Sequence, residues 1–150
     1  MKKIAIAAAL SVALSACTSL TYQERNTLRS LQAQGITVDK PLGGCWESPA
    51  SPAGAGLLNI LPGFGNFYLA SGNGGDSNHY LYGFLNLLTW PISVVWGIPE
   101  AAVDANRINE RELIYYYTFN PAGQEALRAK GYEITASGRL AAVPATGKNR

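Results

Sequence analysis

Between Glu47 and Glu100 the only formally charged side chain is Asp76, while the apolar residues gather into two blocks, AGLLNILPGFGNFYLA (55–70) and YLYGFLNLLTWPISVVWGI (80–98). Exposed loops are not so empty of charge, so these blocks must be buried in protein, in a partner or in lipid. The second block has the minimum length of a spanning helix, with Tyr80, Tyr82 and Trp96 near its ends and Trp90 in its middle. The first is broken at Pro62, Gly63 and Gly65, which argues against a straight span. The polar turn SGNGGDSNH between them holds no Lys or Arg that would favour a cytoplasmic side. A re-entrant or interfacial hairpin with its broken backbone shielded by protein therefore fits a membrane better than two full spans. The alternative is a soluble domain in which both blocks are the core.

The chain opens MKKIAIAAALSVALSAC, with two lysines, an uncharged run and small residues before Cys17. This is the layout of a secretory signal, and its apolar run is too short for a membrane helix. Leu14-Ser15-Ala16-Cys17 resembles a bacterial lipobox. That resemblance implies removal of a signal peptide (1–16), acylation of Cys17 and a mature chain 17–150 that forms a single domain. Acyl chains stabilise anchoring by about 0.8 kcal/mol per buried CH₂, so a multiply acylated cysteine needs no second anchor. Thr18 rather than Asp after the lipidated cysteine implies the outer membrane, facing the periplasm, with the inner membrane or the cell surface as alternatives.

Twelve basic against ten acidic residues leave no footprint for nucleic acid. Apart from Cys17, Cys45 is the only thiol, so it has no internal disulfide partner; burial as a small hydrophobe is the expectation, an intermolecular bridge the alternative.

Around the blocks, the signals are local. Residues 17–47 hold a tether and a first helix-strand unit: Thr21 as N-cap with Glu24 as its capping-box partner, Gly35 as the stop, then ITVDKP extended. Residues 49–56, rich in Pro, Ala, Ser and Gly, read as a linker or turn. From 99 to 143 the pattern predicts a helix with Pro99 at its first position, a strand over LIYYYTF by alternation, a helix capped by Asn120 and stopped by Gly131, and a hairpin of YEIT and RLAAV; 144–150 read as a frayed tail. LQAQGITVD (31–39) echoes LRAKGYEIT (127–135), which suggests that the two flanks pair into one small cap. The expected fold class is thus α+β, a central hydrophobic helical hairpin (55–98) flanked by a small helix-strand cap and preceded by a lipoprotein signal peptide.

Gly63-Phe64-Gly65-Asn66-Phe67-Tyr68-Leu69-Ala70 resembles the opening of the two-transmembrane-helix domain family, over about residues 55–105 including the trailing Asp104. Ala70 and Asn66 replace the usual glycine and basic residue, and Pro91 and Pro99 interrupt the second segment. The whole chain is similar to small bacterial lipoproteins that join a lipobox to such a stretch; no activity follows from that likeness. Phe64, Phe67, Tyr68, Trp90 and Trp96 are the expected membrane or partner contacts.

Catalysis has thin support. His79, the only histidine, sits near Asp76 and Ser77, and a Cys45/His79 hydrolase would need thiol and imidazole within hydrogen-bond reach. One histidine and one thiol do not complete a zinc shell. The glycines around 63–75 lack a strand-turn-helix context for phosphate, and Tyr115–Tyr117 read as half core and half surface. The expected function is therefore a non-enzymatic, lipid-anchored envelope protein without cofactor. Its partners are the bilayer through acylated Cys17 and an integral membrane protein or a second copy; a lipid-tethered periplasmic binding module is the runner-up and a hydrolase the third reading.

Overall fold

A computed structural model describes residues 18–43 and 45–143. The expected signal peptide, Cys17 and the tail 144–150 lie outside the described residues. Those described form six helices and one two-stranded sheet, an α+β mixture dominated by helix. They divide into two compact units, one of residues 18–19 and 49–108, the other of 20–48 and 109–143.

Helix α1 (Tyr22–Ala33) opens the second unit. The Glu24 amide donates to Thr21 Oγ1 at 3.3 Å and the Thr21 amide to Glu24 Oε2 at 2.7 Å, a complete capping box. Gly35, at φ 75°, turns the chain so that Leu31 and Ile36 are both buried. ITVDKP is a turn closed by an isolated Thr37–Lys40 bridge, not a strand.

The first unit contains α2 (Pro52–Leu58), α3 (Phe64–Ala70), α4 (Asn78–Leu88) and the start of α5 (Val94–Phe119). The stretch expected to be a linker is in fact the start of a helix. Ser51 caps α2 by accepting from the Gly54 amide at 3.1 Å, and Pro52 takes the first position, where a missing N–H costs nothing. Helix α5 begins at Val94 rather than at Pro99, which lies inside it. Proline removes one ladder bond, but Ala101, Ala105 and Ile108 are buried beyond it, and their packing holds the helix.

LIYYYTF, expected as a strand, is helical. Within α5 the buried positions Ala101, Asp104, Ala105, Ile108, Asn109, Leu113, Ile114 and Tyr117 recur every three or four residues. An apolar run carries no clear period of its own, and strand propensity of tyrosine and isoleucine yields to the helical stripe of the longer segment. In the second unit α6 (Pro121–Ala129) follows, capped by Asn120, whose Oδ1 accepts from the Ala122 amide at 2.9 Å. Strands β1 (Tyr132–Ile134) and β2 (Leu140–Ala142) pair antiparallel, Glu133 opposite Ala141. The two halves of the sequence echo do not pair as strands. They meet instead through side chains: Leu31, Ile36, Leu113, Tyr117 and Leu127 form one buried cluster, and the Tyr117 hydroxyl donates to the Leu42 carbonyl at 2.8 Å.

Candidate membrane-contact surface

The first unit distributes its residues the wrong way round for a protein in water. Its interior holds Gly56, Asn59, Gly65, Asn66, Gly83, Asn86, Ser93 and Gly97, all buried. Outward from α2 and the turn after it point Leu57, Ile60 and Leu61, at 67, 54 and 57 % exposure. From α4 and the bend that follows, Phe84, Leu88, Trp90 and Ile92 are 58, 80, 63 and 67 % exposed, and Val95 at the start of α5 is 80 % exposed. The apolar core is small and rich in alanine, with Ala50, Ala55, Leu69, Ala101, Ala105 and Ile108.

Small residues make this interior possible because they let backbones touch. A Cβ on Gly63 would strike the Gly83 carbonyl, and one on Gly65 the Ala55 carbonyl. Gly63 also has φ 85°, a left-handed turn into α3 that other residues adopt only with strain. Buried amides then fasten the crossings. Asn59 Oδ1 accepts from the Gly65 amide at 3.1 Å; Asn86 accepts the Trp96 indole N–H on Oδ1 at 3.2 Å and the Ser93 hydroxyl on its backbone carbonyl at 2.6 Å. Glycine and serine at contacts, with amides as fasteners, are the means by which helices associate where no hydrophobic effect drives them together.

The expected contact residues fall into two groups. Phe64, Trp90 and Trp96 are exposed, although Trp96 is tied to Asn86. Phe67 is half-buried in an aromatic cluster, 6.0 Å from Phe64 and 5.4 Å from Phe84, centre to centre. Tyr68 packs on the alanine core, and its hydroxyl accepts from the Ser51 amide at 3.0 Å. Cys45, expected to be buried, is exposed, in the second unit.

His79 is not part of a polar turn. It lies in the first turn of α4 and is 2 % exposed, surrounded by Thr18, Asn66 and Asp104. Its Nε2 lies 3.4 Å from Thr18 Oγ1, and its Nδ1 lies 3.4 Å from Asn66 Oδ1 and 4.0 Å from Asp104 Oδ2. Asp104 is fully buried, and its Oδ1 accepts from the Thr18 backbone amide at 2.8 Å. Burial pushes the Asp104 carboxyl above the usual range, with Asp76 adding to this and the Thr18 amide and His79 opposing it. One turn earlier, burial and then the Asp104 charge raise Glu100 to about 6, with the Asn86 side chain opposing them. The sequence hid this cluster because Asp104 stands among charged neighbours; its place on the Ala101–Ala105–Ile108 stripe is visible only once α5 has its phase. Among the described residues, no group of His, Cys, Asp and Glu could hold a metal.

The second unit holds a cavity of about 430 Å³ lined by residues that include Glu24, Ile114, Tyr115, Phe119, Ile134 and Gly138. Glu24 faces it with its charge already engaged, since Arg111 Nε stands 3.7 Å from Oε1. Burial would raise the Glu24 carboxyl, but hydrogen bonds from Thr21 and the Arg111 charge outweigh it and hold the group low.

No family model, no curated protein and no solved structure matches the chain. What the structure itself defines is a class: an α+β protein, largely helical, with a helical unit that exposes large apolar side chains and buries amides and glycines beside a small alanine-rich core. Among the described residues no helix is long and apolar enough to cross a membrane.

Proposed function

We propose that this is a non-enzymatic, lipid-anchored protein of the cell envelope, held at the outer membrane through acylated Cys17, whose first unit lays its apolar face into one leaflet of the bilayer. The observation behind this is the inverted distribution of residues between Pro52 and Trp96. In water each half-exposed Leu, Phe or Trp forgoes about 1 kcal/mol of burial, a cost that repeats across the whole face. Lipid removes that cost, and the buried Asn and Gly contacts do not depend on water to form.

Depth agrees with a single leaflet. The 11 residues of α4 extend about 16 Å, close to half of a hydrocarbon core of about 30 Å. Within the helices the backbone supplies its own hydrogen bonds, and Ser93 and Thr89 satisfy carbonyls where α4 ends. The exposed face favours this reading over one in which the same side chains form the core of a soluble binding module. A protein partner, either an integral membrane protein or a second copy, would cover the same face.

The decisive experiment replaces the lipobox signal by a cleavable one, removes Cys17 and asks whether the exported protein stays with membranes through alkaline extraction. Retention is the expected result. Release as a folded monomer would sink the leaflet reading.

A further inference from the structure

The buried His79–Asp104 pair has a partner that the membrane face does not explain: the chain entering the first unit at Thr18. The Thr18 amide donates to Asp104 Oδ1 at 2.8 Å, and its hydroxyl lies 3.4 Å from His79 Nε2. Asp104 is fully buried and His79 nearly so, and Asp104 Oδ2 has no hydrogen-bond donor, only the His79 ring at 4.0 Å. A carboxylate is costly to bury unless it is compensated, so one placed here and aimed at a main-chain N–H requires a reason. Thr18 supplies one. It is the residue after Cys17, so the backbone is gripped at the first position beyond the cysteine expected to carry the lipid.

We propose that Asp104, beside the His79 ring that Asn66 contacts, is a docking site for the Thr18 backbone that holds the chain at the headgroup end of the apolar face, so that a lipid joined upstream of Thr18 and the helices meet the same leaflet. The proposal rests on the leaflet reading above. Its geometry lies within the first unit. His79 stands at the start of α4, beside the polar turn that holds Asp76, the lone charge between Glu47 and Glu100. Leu88 ends α4 about 14 Å from His79 by helical rise, with Trp90 just beyond it, and the two are 80 and 63 % exposed. Asp76 belongs among headgroups and Leu88 among acyl chains. A lipid attached upstream of Thr18 therefore starts from the polar end.

The consequence is that the chain is already held at Thr18. A floating tether leaves the orientation of the protein to chance encounters of the apolar face with the bilayer; a docked one makes insertion of the second element intramolecular, with a high effective concentration. Asp104 is thus a positioning residue, acting on the lipid through the Thr18 amide.

The test uses the lipidated protein purified from membranes, in nanodiscs of phosphatidylethanolamine and phosphatidylglycerol, with threonine amides labelled for hydrogen exchange by NMR. The Thr18 amide is expected to exchange at least about 100-fold more slowly than in an unstructured peptide. Asp104→Asn, which keeps the acceptor oxygen, retains most of that protection. Asp104→Ala brings Thr18 to within about 10-fold of the free rate while the Thr27 amide in α1 keeps its own protection. An unprotected Thr18 amide in the wild type overturns the docking site and needs no variant to fold. Unchanged protection in a folded Asp104→Ala overturns it too.

A parallel measurement separates docking from membrane contact: quenching of Trp90 by dibrominated acyl chains in vesicles of the same lipids, identified by its loss in Trp90→Phe. Quenching together with a protected Thr18 supports the proposal. Quenching with a free Thr18 overturns the docking site and leaves the leaflet reading standing. A protected Thr18 without quenching overturns the leaflet reading, and with it the alignment of acyl chains and helices by the docked residue.

Discussion

The two units solve the packing problem in opposite ways. The second buries Leu31, Ile36, Leu113, Tyr117 and Leu127, with Tyr117 bonded to the Leu42 backbone, and closes its helix ends with Thr21, Asn120 and Gly131. The first buries Asn59, Asn66, His79, Asn86, Ser93 and Asp104 and turns Leu57, Phe84, Leu88, Ile92 and Val95 outward. A shared alphabet is sorted by two different surroundings. Water drives the apolar residues of the second unit together, whereas contacts between small residues and amide hydrogen bonds hold the first, whatever covers its outer face. The same substitution should therefore have different effects in the two units.

The largest contrast comes from volume. Leu31→Ala opens a cavity in a closed core and should cost about 2–5 kcal/mol, seen as a fall in the denaturation midpoint. In the first unit truncation of an outward leucine, Leu88→Ala, should leave the midpoint within about 0.5 kcal/mol. There the harmful change is enlargement: Gly65→Val drives a side chain into the Ala55 carbonyl and should destabilise by about 3 kcal/mol. If Leu88→Ala proved as costly as Leu31→Ala, the inversion would not describe the protein in solution.

Charge gives the next largest effect. Leu88→Asp should leave circular dichroism unchanged and yet weaken binding of non-lipidated protein to vesicles by about 2 kcal/mol or more, roughly 30-fold. Unaltered vesicle binding would move the contact surface away from α4.

A smaller effect depends on pH. Glu100 titrates near 6 in the folded protein against an ordinary 4.5, so the folded state holds this proton more tightly than the unfolded state. Its contribution is full below pH 4.5 and is lost as pH rises through 6. Glu100→Gln should remove that loss and stabilise the protein at pH 7.5 by about 1 kcal/mol, after allowance for partial exposure, with little change at pH 4.5. Denaturant melts at both pH values measure it; equal effects at the two would show that burial of Glu100 is not felt. Smallest and confined to the second unit, Thr21→Ala removes the capping box of α1 and should cost about 1 kcal/mol in the same melts.

Much of the second unit is legible in the chain because its signals are local. A capping box needs only Thr21 and Glu24 at the right spacing, and a helix stop only Gly35 or Gly131, whose positive φ no tertiary contact has to supply. The β-hairpin from Tyr132 to Ala142 is legible for the same reason. Where local signals are weak, the reading fails. LIYYYTF is apolar on every side, so it could be phased as strand or helix until the stripe from Ala101 to Tyr117 was known. The start of α5 was hidden by Pro99, a residue that ends helices by itself but not against a packed face. The linker reading of 49–56 missed that Ser51-Pro52 is also a helix start.

By itself the sequence determined that a third of the chain carries no charge but Asp76, that glycine and proline break that stretch into short pieces, and where the flanking helices are capped. Those are properties of residue type and spacing along the backbone. Tertiary structure decided which side of each piece faces inward, because hydropathy states how apolar a segment is and not which of its neighbours are small enough to approach. It decided also that Asp104, His79 and Thr18, separated by up to 86 positions, meet in one buried cluster. A hydrogen bond between groups so far apart is set by helix phase and packing, and no local pattern encodes it.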